Sequence, residues 1–420
     1  MSDIDQYDYV RFTVGDIHGR ARGRVIPARH VKKFLETGIT LYGGFLTFDL
    51  KNEDVPISID DPDSKRIPKA FAIADPSTLY AVPWASENGL KVADIICESY
   101  WLKDKTKQLA CPRYVATQQL EKLADHGFSF FSGFELEFLL MRPGETSSQQ
   151  YDLMNQRLIT KHSDFLFHLE RHMYLAGVDI ENIHAEYEAN TFEAVLKPSY
   201  GITSAESCFK FKTGILEIAD KKDRIVSFQS KHNVGEIGMH FNHSLWSLSD
   251  GVNVFHDPGS RDGLSPLGQY WLAGILKHSK ALTALWCPTS NCFERLHKPN
   301  LPGPIFWSTD DRAACVKLKS LETGTYLEHR IPSGMSNPYL TMAATIAAGL
   351  DGIVKKMECP PVDEFSQGAL PCTLLEAIDD LERDTDMVNS LGVEFVEWFV
   401  RTLKSDTDPC VLKNRYTSTH

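Results

Sequence analysis

The chain has 420 residues, 42% hydrophobic and 24% charged, with a formal charge of −12. These proportions fit a soluble globular protein of two or three domains, or of one large domain carrying a smaller one, and the negative charge argues against a general polyanion binder. No run of Lys or Arg suggests nucleic acid, and no apolar stretch reaches membrane-spanning length. The opening Met-Ser-Asp-Ile-Asp-Gln-Tyr-Asp is acidic and lacks an apolar core, so the expected location is cytoplasmic. Nine cysteines are scattered without a Cys-x-x-Cys pair, which fits reduced, mostly buried thiols better than a zinc knuckle.

The first hundred residues read as strands with tight connections. Residues 9–14 alternate, Asp16-Ile17-His18-Gly19 is a turn, and residues 24–27 resume extended structure. A helix is predicted over Ala28–Thr37, ended by Gly38, and the loop Lys51–Lys69 reads as exposed. A boundary falls near Lys103–Pro112. Pro112 opens a helix with Leu120 and Leu123 on its apolar stripe, and Gly127 ends it. A strand follows over Phe128–Leu140, and then a polar loop or insertion over residues 141–165. The spacing predicts a helix over Ser204–Asp220, with Thr203 and Glu206 placed as a capping box. Another helix starts at Asn337-Pro338 and runs to Ile353, with Gly349 and Gly352 allowing close packing. The last forty residues read as helical around Leu374–Arg383 and Val393–Leu403. No repeat of fixed period stands out, and the mixture indicates an α+β fold.

Six Glu and His residues in four segments carry the chemistry. Glu135 and Glu137 share one face of their strand, with Phe134, Leu136 and Phe138 on the other. Two carboxylates side by side can simply face water on an antiparallel sheet, or can share a divalent cation that offsets their repulsion. Glu186 and Glu193 converge only if the chain bends near Ala189-Asn190-Thr191; an acidic exposed loop is the plainer alternative. His240 taken alone is as ordinary as any surface or structural histidine. Glu328 and Arg330 share a strand face and can simply pair. As a set, oxygen ligands with one imidazole suit Mg²⁺ or Mn²⁺ better than zinc.

Several ordered motifs give the set a context. Asp75-Pro-Ser-Thr-Leu79 with Val82-Pro-Trp84, Phe134-Glu-Leu-Glu-Phe138, Gly238-Met-His240, Trp307-Ser-Thr-Asp-Asp-Arg312, Leu327-Glu-His-Arg330 and Asn337-Pro-Tyr-Leu340 appear in turn. Their order and wording resemble the glutamine synthetase superfamily across nearly the whole chain. The resemblance implies a β-grasp-like domain over residues 1–108 and a catalytic-fold domain over 109–420, built around a curved antiparallel sheet. It also implies rings of identical subunits, usually stacked in pairs, with sites between neighbours. By motif position Glu137, Glu186 and Glu193 would hold one metal, and Glu135, His240 and Glu328 the other. In active members ATP phosphorylates the glutamate side chain and an amine displaces the phosphate. Arg295, Arg312, Lys317, Arg330 and Asn242 stand at substrate- or phosphate-binding positions.

The match fails at specific points. The glutamate-binding loop reads Gly235-Glu236-Ile237, so a polar residue is lost and a negative charge enters where an anionic substrate is expected. Lys317 and Tyr326 stand where arginines are expected; Lys keeps the charge without the bidentate fork, and Tyr loses both. Asn190 and Thr191 replace the usual Gly and Gln. Lys298-Pro-Asn-Leu-Pro-Gly-Pro304 has no flap glutamate, and Phe48-Asp49-Leu50 keeps only the Asp of a neighbour-facing turn. The pattern is most similar to a non-catalytic branch of the family. That implies a metal-binding, ring-forming assembly with a structural or partner-binding role and little or no ligase activity. The alternative is an active ATP-dependent ligase joining glutamate to ammonia or another amine.

Overall fold

A computed structural model of the chain describes residues 4–55, 68–145, 153–233, 235–260, 262–321, 324–365 and 368–407. The first part contains β1 (Tyr9–Gly15), β2 (Ala21–Pro27), α1 (Ala28–Thr37), β3 (Ile39–Tyr42), β4 (Lys69–Ala74), β5 (Tyr80–Ala81) and β6 (Val92–Trp101). Among the described residues these strands form a six-stranded sheet ordered β2-β1-β6-β4-β3, with β5 on β6. The β1–β6 pair is parallel, and Val10, Phe12 and Val14 of β1 are buried beneath α1 and its neighbours. Most of the loop expected over Lys51–Lys69 lies outside the described residues.

The second part begins with α2 (Pro112–Asp125), β7 (Phe128–Met141), α3 (Gln156–Lys161), α4 (Ser163–Leu175), β8 (Ile180–Ala185), β9 (Thr191–Leu196) and β10 (Ser199–Tyr200). It continues with α5 (Thr203–Lys221), β11 (Ile225–Ser227), β12 (Lys231–His232), β13 (Gly235–Glu236), β14 (Met239–Ser247), α6 (Pro266–Trp286) and α7 (Ser290–Phe293). The last elements are β15 (Trp307–Ser308), β16 (Val316–Leu321), β17 (Gly324–His329), α8 (Pro338–Lys355), α9 (Leu374–Arg383), α10 (Thr385–Leu391) and α11 (Val393–Asp406). A nine-stranded sheet ordered β15-β16-β17-β14-β7-β9-β8 is its centre, with β10 and β11 on β7. The fold is α+β, as the sequence indicates.

Two expectations are corrected. Residues 141–165 are not wholly a loop, because α3 and the start of α4 lie there. Asn155 caps α3 by accepting from the Arg157 amide at 2.8 Å, and Leu158, Ile159, Phe165 and Leu166 are buried. The apolar spacing is present but begins only after a polar stretch that hides it. The capping box at Thr203 and Glu206 does not form: α5 starts without a side-chain cap, and Glu206 instead accepts from Arg113 at 2.9 Å. Its carboxylate, with Asp75 and Glu98, balances the buried Arg113 guanidinium.

The longest described helix, α6, has no place in the sequence reading. Nearly every side of it is buried, so it lacks the polar face that gives a helical period. It packs on α8 where a Cβ on Gly274 would lie 2.1 Å from the Ala348 carbonyl and one on Gly352 2.1 Å from the Tyr270 carbonyl. Close approach through Gly349 and Gly352 is therefore present, with α6 as the partner. Asn337 caps α8 by accepting from the Tyr339 amide at 3.0 Å. Its amide group also donates to the Asp16 carbonyl at 2.9 Å, tying the turn after β1 to the start of α8. The Asp16 side chain binds Arg20 and Arg22 at 2.8 and 3.0 Å.

His278 on α6 sits between Asp384 at 2.6 Å and Asp351 at 2.9 Å. Burial lowers its proton affinity, but the two carboxylates outweigh burial and raise it, while His278 holds Asp384 below the ordinary range. The His278 contribution is fully present below its unfolded value and is lost as pH rises through the raised folded value. The Asp384 contribution is lost as pH falls through its lowered value. His278→Gln should therefore cost about 1–3 kcal/mol near pH 6, and the cost should shrink as the pH is raised. Urea unfolding of both proteins across that range checks the trend.

Candidate metal centre

The site is a product of strand register. Period-two alternation turns Glu135 and Glu137 of β7 to one face, while Phe134, Leu136 and Phe138 are buried on the other. Antiparallel β14 puts His240 opposite Glu135, and β9 puts Glu193 opposite Glu137. On β17, Glu328 lies opposite Asn242 of β14. Glu186 comes from the β8–β9 hairpin, where its amide donates to the Thr191 carbonyl at 2.9 Å and Asn190 takes φ of +57°. The expected bend is thus a turn through a left-handed Asn.

His240 is the hub. Its Nδ1 lies 3.2 Å from Glu135, 3.8 Å from Glu328 and 4.0 Å from Glu193, and its Nε2 lies 3.9 Å from Glu137. Among the described residues, three groups have ligand atoms within 4.8 Å of one another: Glu135–His240–Glu328, Glu137–Glu193–His240 and His184–Glu186–Glu193. All six expected residues therefore converge. Glu137 and Glu186 each join Glu193 in a separate group, rather than forming one three-carboxylate set.

Sequence reading missed His184, which lies 3.0 Å from Glu186 and 3.7 Å from Glu193. Its position two residues before Glu186 was the available signal, but only the β8–β9 register places it opposite Glu193. Lys319 was missed as well. Its ammonium lies 2.8 Å from Glu328, and its residue faces Tyr326 across β16 and β17.

Electrostatics differ across the cluster. Glu193 is pushed up to about 10 by burial and then by Glu135, Glu137, Glu186 and Glu328. Burial also raises Glu328, but His240, Arg330 and Lys319 outweigh it and hold it at about 2. Glu135 and Glu186 are likewise lowered despite burial, chiefly by His240 and His184. Crowding thus favours a proton on the metal-free cluster, and Glu193 is the carboxyl pushed up by burial and by its neighbours.

The remaining expected positions separate. Asn242 donates to Glu135 at 2.7 Å, and with Tyr326, Phe131 and Trp246 it lines a cavity of about 350 Å³ beside the cluster. Arg295 is buried against Gly238 and donates from Nη2 to the Arg330 carbonyl and from Nη1 to the Ile331 carbonyl, at 3.0 and 3.2 Å. Arg330 pairs with Glu328, as its strand position suggests, and donates to the Arg312 carbonyl at 3.2 Å. The Arg312 side chain is exposed, and Lys317 lies opposite Glu328. Gly235 lies beside the Glu188 carboxylate with φ of +152°, where a side chain would collide. Ile237 is buried, its amide donating to the Ser230 carbonyl at 2.9 Å. Glu236 is not an uncompensated charge, because Lys231 lies 2.6 Å away. Asp49 accepts from the Lys51 and Glu53 amides at 2.8 Å each, ordering its own loop.

The model of the glutamine synthetase catalytic domain matches residues 109–415. The chain belongs to the glutamine synthetase family. Rat lengsin (Rattus norvegicus) is 29% identical, over 95% of this chain and 72% of that protein. The glutamate–methylamine ligase of Methyloversatilis universalis is 31% identical, over 94% and 92% of the two chains. The glutamine synthetase of Pyrococcus abyssi is 30% identical, over 91% and 87%. Among solved structures, a glutamine synthase homologue superposes with a TM-score of 0.84 at 24% identity, over 95% and 94% of the chains. A GmaS–ADP complex gives 0.84 at 23% identity, over 96% and 94%. The glutamine synthetase-type α+β fold is therefore established. Family ligases use ATP and divalent metals, and this cluster has the donor types for such ions.

Glu193→Gln tests the crowding. The folded value of Glu193 lies above the unfolded one, so folding takes up a proton and wild-type stability falls as pH rises between them. Gln cannot ionise. The metal-free variant should be the more stable protein near pH 7 by about 1 kcal/mol or more, with a gap that widens up to about pH 9. The same variant should lose most of the Mn²⁺-dependent rise in Tm seen in wild type. Thermal melts with and without Mn²⁺ read both effects.

Proposed function

We propose that this chain forms a metal-holding ring of identical subunits in which the family's ligase activity has been lost, leaving a structural or partner-binding role. The observation that carries this reading is the inward engagement of two of the site's cations, Arg295 and Arg330. Arg295 donates from Nη1 and Nη2 to two backbone carbonyls, and Arg330 donates from Nε to the Arg312 carbonyl and pairs through Nη1 with Glu328. Tyr326 stands where the resemblance calls for another arginine. An anionic substrate would have to share these two guanidinium groups with their internal partners, and Tyr326 offers it no charge in return.

The carboxylates and imidazoles fit Mg²⁺ or Mn²⁺, with Glu137, Glu186, Glu193, Glu135, His240 and Glu328 as the residues that would hold it. In an active ligase such an ion offsets negative charge on the transferring phosphoryl group. Here the protein's own part is to keep five glutamates within reach of two imidazoles, so that a cation cross-links β7, β8, β9, β14 and β17. That would stabilise the sheet whether or not any reaction follows. The division at residue 108 is part of the same proposal: the family match begins at residue 109, and residues 9–101 build their own sheet. Relatives of this family are typically homo-oligomeric rings, so light scattering at micromolar concentration should find a closed assembly of about ten or more chains. A monomer or dimer would remove the ring from the reading.

One observation favours a second reading. The Lys231–Glu236 pair neutralises the charge that the sequence sets against glutamate binding. With the similarity to a glutamate–methylamine ligase, this supports an active ligase joining glutamate to an amine. Product formation from glutamate, ATP and either ammonia or methylamine separates the two. The first reading expects turnover far below the ordinary enzyme rate of about 1 s⁻¹, and turnover at that rate would establish the second. Tyr326→Arg combined with Lys317→Arg should tighten ATP binding before it restores any turnover.

A further inference from the structure

The cluster is chemically lopsided. On one side, both carboxylates have a donor on each oxygen. Glu328 gives one oxygen to Arg330 and the other to Lys319 at 2.8 Å. Glu135 receives Asn242 at 2.7 Å on one oxygen and His240 at 3.2 Å on the other. On the other side stands Glu193, only 7% exposed. Its positively chargeable neighbours within 4.0 Å, among the described residues, are the imidazoles of His184 and His240 at 3.7 and 4.0 Å. Glu137 accepts from the Gly238 amide at 2.6 Å, a neutral donor, and faces Glu193 across the strand pair.

Permanent positive charge is therefore supplied by the protein at Glu328 and is lacking at Glu193. Lys319 reaches Glu328 because β16 and β17 are antiparallel in a register that faces Lys319 to Tyr326 and Lys317 to Glu328. Tyr326, the residue facing Lys319, adds no charge to the pair.

We infer that Lys319, with Arg330, acts as a resident cation in place of one divalent ion, so that the chain binds a single Mg²⁺ or Mn²⁺ on the Glu137–Glu186–Glu193 side. This rests on the metal reading above and departs from the two-metal arrangement that the family resemblance implies. A divalent ion between Glu135, His240 and Glu328 would bring two positive charges against Lys319 and Arg330 in a site largely shielded from water. Such repulsion is costly at these separations. At Glu193 the same ion meets carboxylates and imidazoles directly, and the permanent positive charge nearby, Arg295, lies behind Glu137 against Gly238.

The test is Mn²⁺ titration of the metal-free full-length protein, by calorimetry with electron paramagnetic resonance of free and bound ion. Wild type should take up one equivalent per chain, with any second equivalent weaker by about tenfold or more. Lys319→Met, or Lys319→Gln if the first variant folds poorly by circular dichroism, should admit a second ion or tighten its binding by about tenfold or more. Lys319→Arg should keep the single-ion behaviour, and Glu193→Gln should remove the tight equivalent. Two equivalents of similar affinity in wild type, or a second site unchanged by loss of the Lys319 charge, overturns this inference and leaves the metal reading standing. No Mn²⁺ uptake up to millimolar concentration overturns both.

Discussion

Five glutamates held face to face across antiparallel strands are the constraint around which the rest of this molecule is arranged. Left to themselves, Glu135, Glu137, Glu186, Glu193 and Glu328 would separate into water. They cannot, because the residues between them are the core. Phe134, Leu136 and Phe138 are buried on the opposite face of β7, and Met239 and Phe241 on β14. A slip of one residue would turn those rings outward while relieving the charges. Burial of large apolar side chains, at about 1.5–3 kcal/mol each, decides the register, and the carboxylates follow. The electrostatic cost is then met locally by imidazoles, by Lys319 and Arg330, by a proton favoured on the crowded cluster, and in the proposed state by a divalent ion.

Much of this was legible in the sequence wherever a local rule and the tertiary structure agree. The strand bearing Glu135 and Glu137 alternates cleanly. The Asn337-Pro338 start of α8 carries its own cap. The helices α1 and α9 run over the expected residues, and α11 starts where expected and extends to Asp406. Legibility fails where the deciding partner is far away in the chain. Glu206 sits at a helix-capping spacing, yet a buried guanidinium from α2 claims it. Helix α6 has no polar face to betray its period. His184 and Lys319 look like ordinary surface residues until β8 is laid against β9 and β16 against β17. Glu236 looked like an intruding charge because its lysine lies on the facing strand of a short β-ribbon.

The relatives span proteins named for ligase activity and lengsin at nearly the same identity, so the shared fold leaves the chemistry open. What distinguishes such relatives must lie in a few side chains around a conserved scaffold. Here the informative ones are cations rather than carboxylates. All six expected acidic and imidazole side chains converge, whereas two of the basic ones, Arg295 and Arg330, point inward onto carbonyls and onto Glu328 while Arg312 is exposed. Selection acting on stability would retain the first set, because an unbalanced cluster weakens the sheet. It would have less reason to keep the second set open to substrate.

The tie between Asn337 and the Asp16 carbonyl has a consequence for how the chain is made. It joins residues 321 positions apart, and the contact of Asp406 with the Leu50 amide joins residues 356 apart. The turn after β1 and the loop after Phe48 acquire these partners only once a further 321 and 356 residues have been added to the chain. The six-stranded sheet can form beforehand, but with one flank unsealed. Contacts of such long sequence separation are slow to close, and the surface they cover stays exposed in the meantime. A truncation at the distal end would therefore be felt at the beginning of the protein, in protease sensitivity around Asp16 and Leu50, before it disturbed the strands that carry the metal centre.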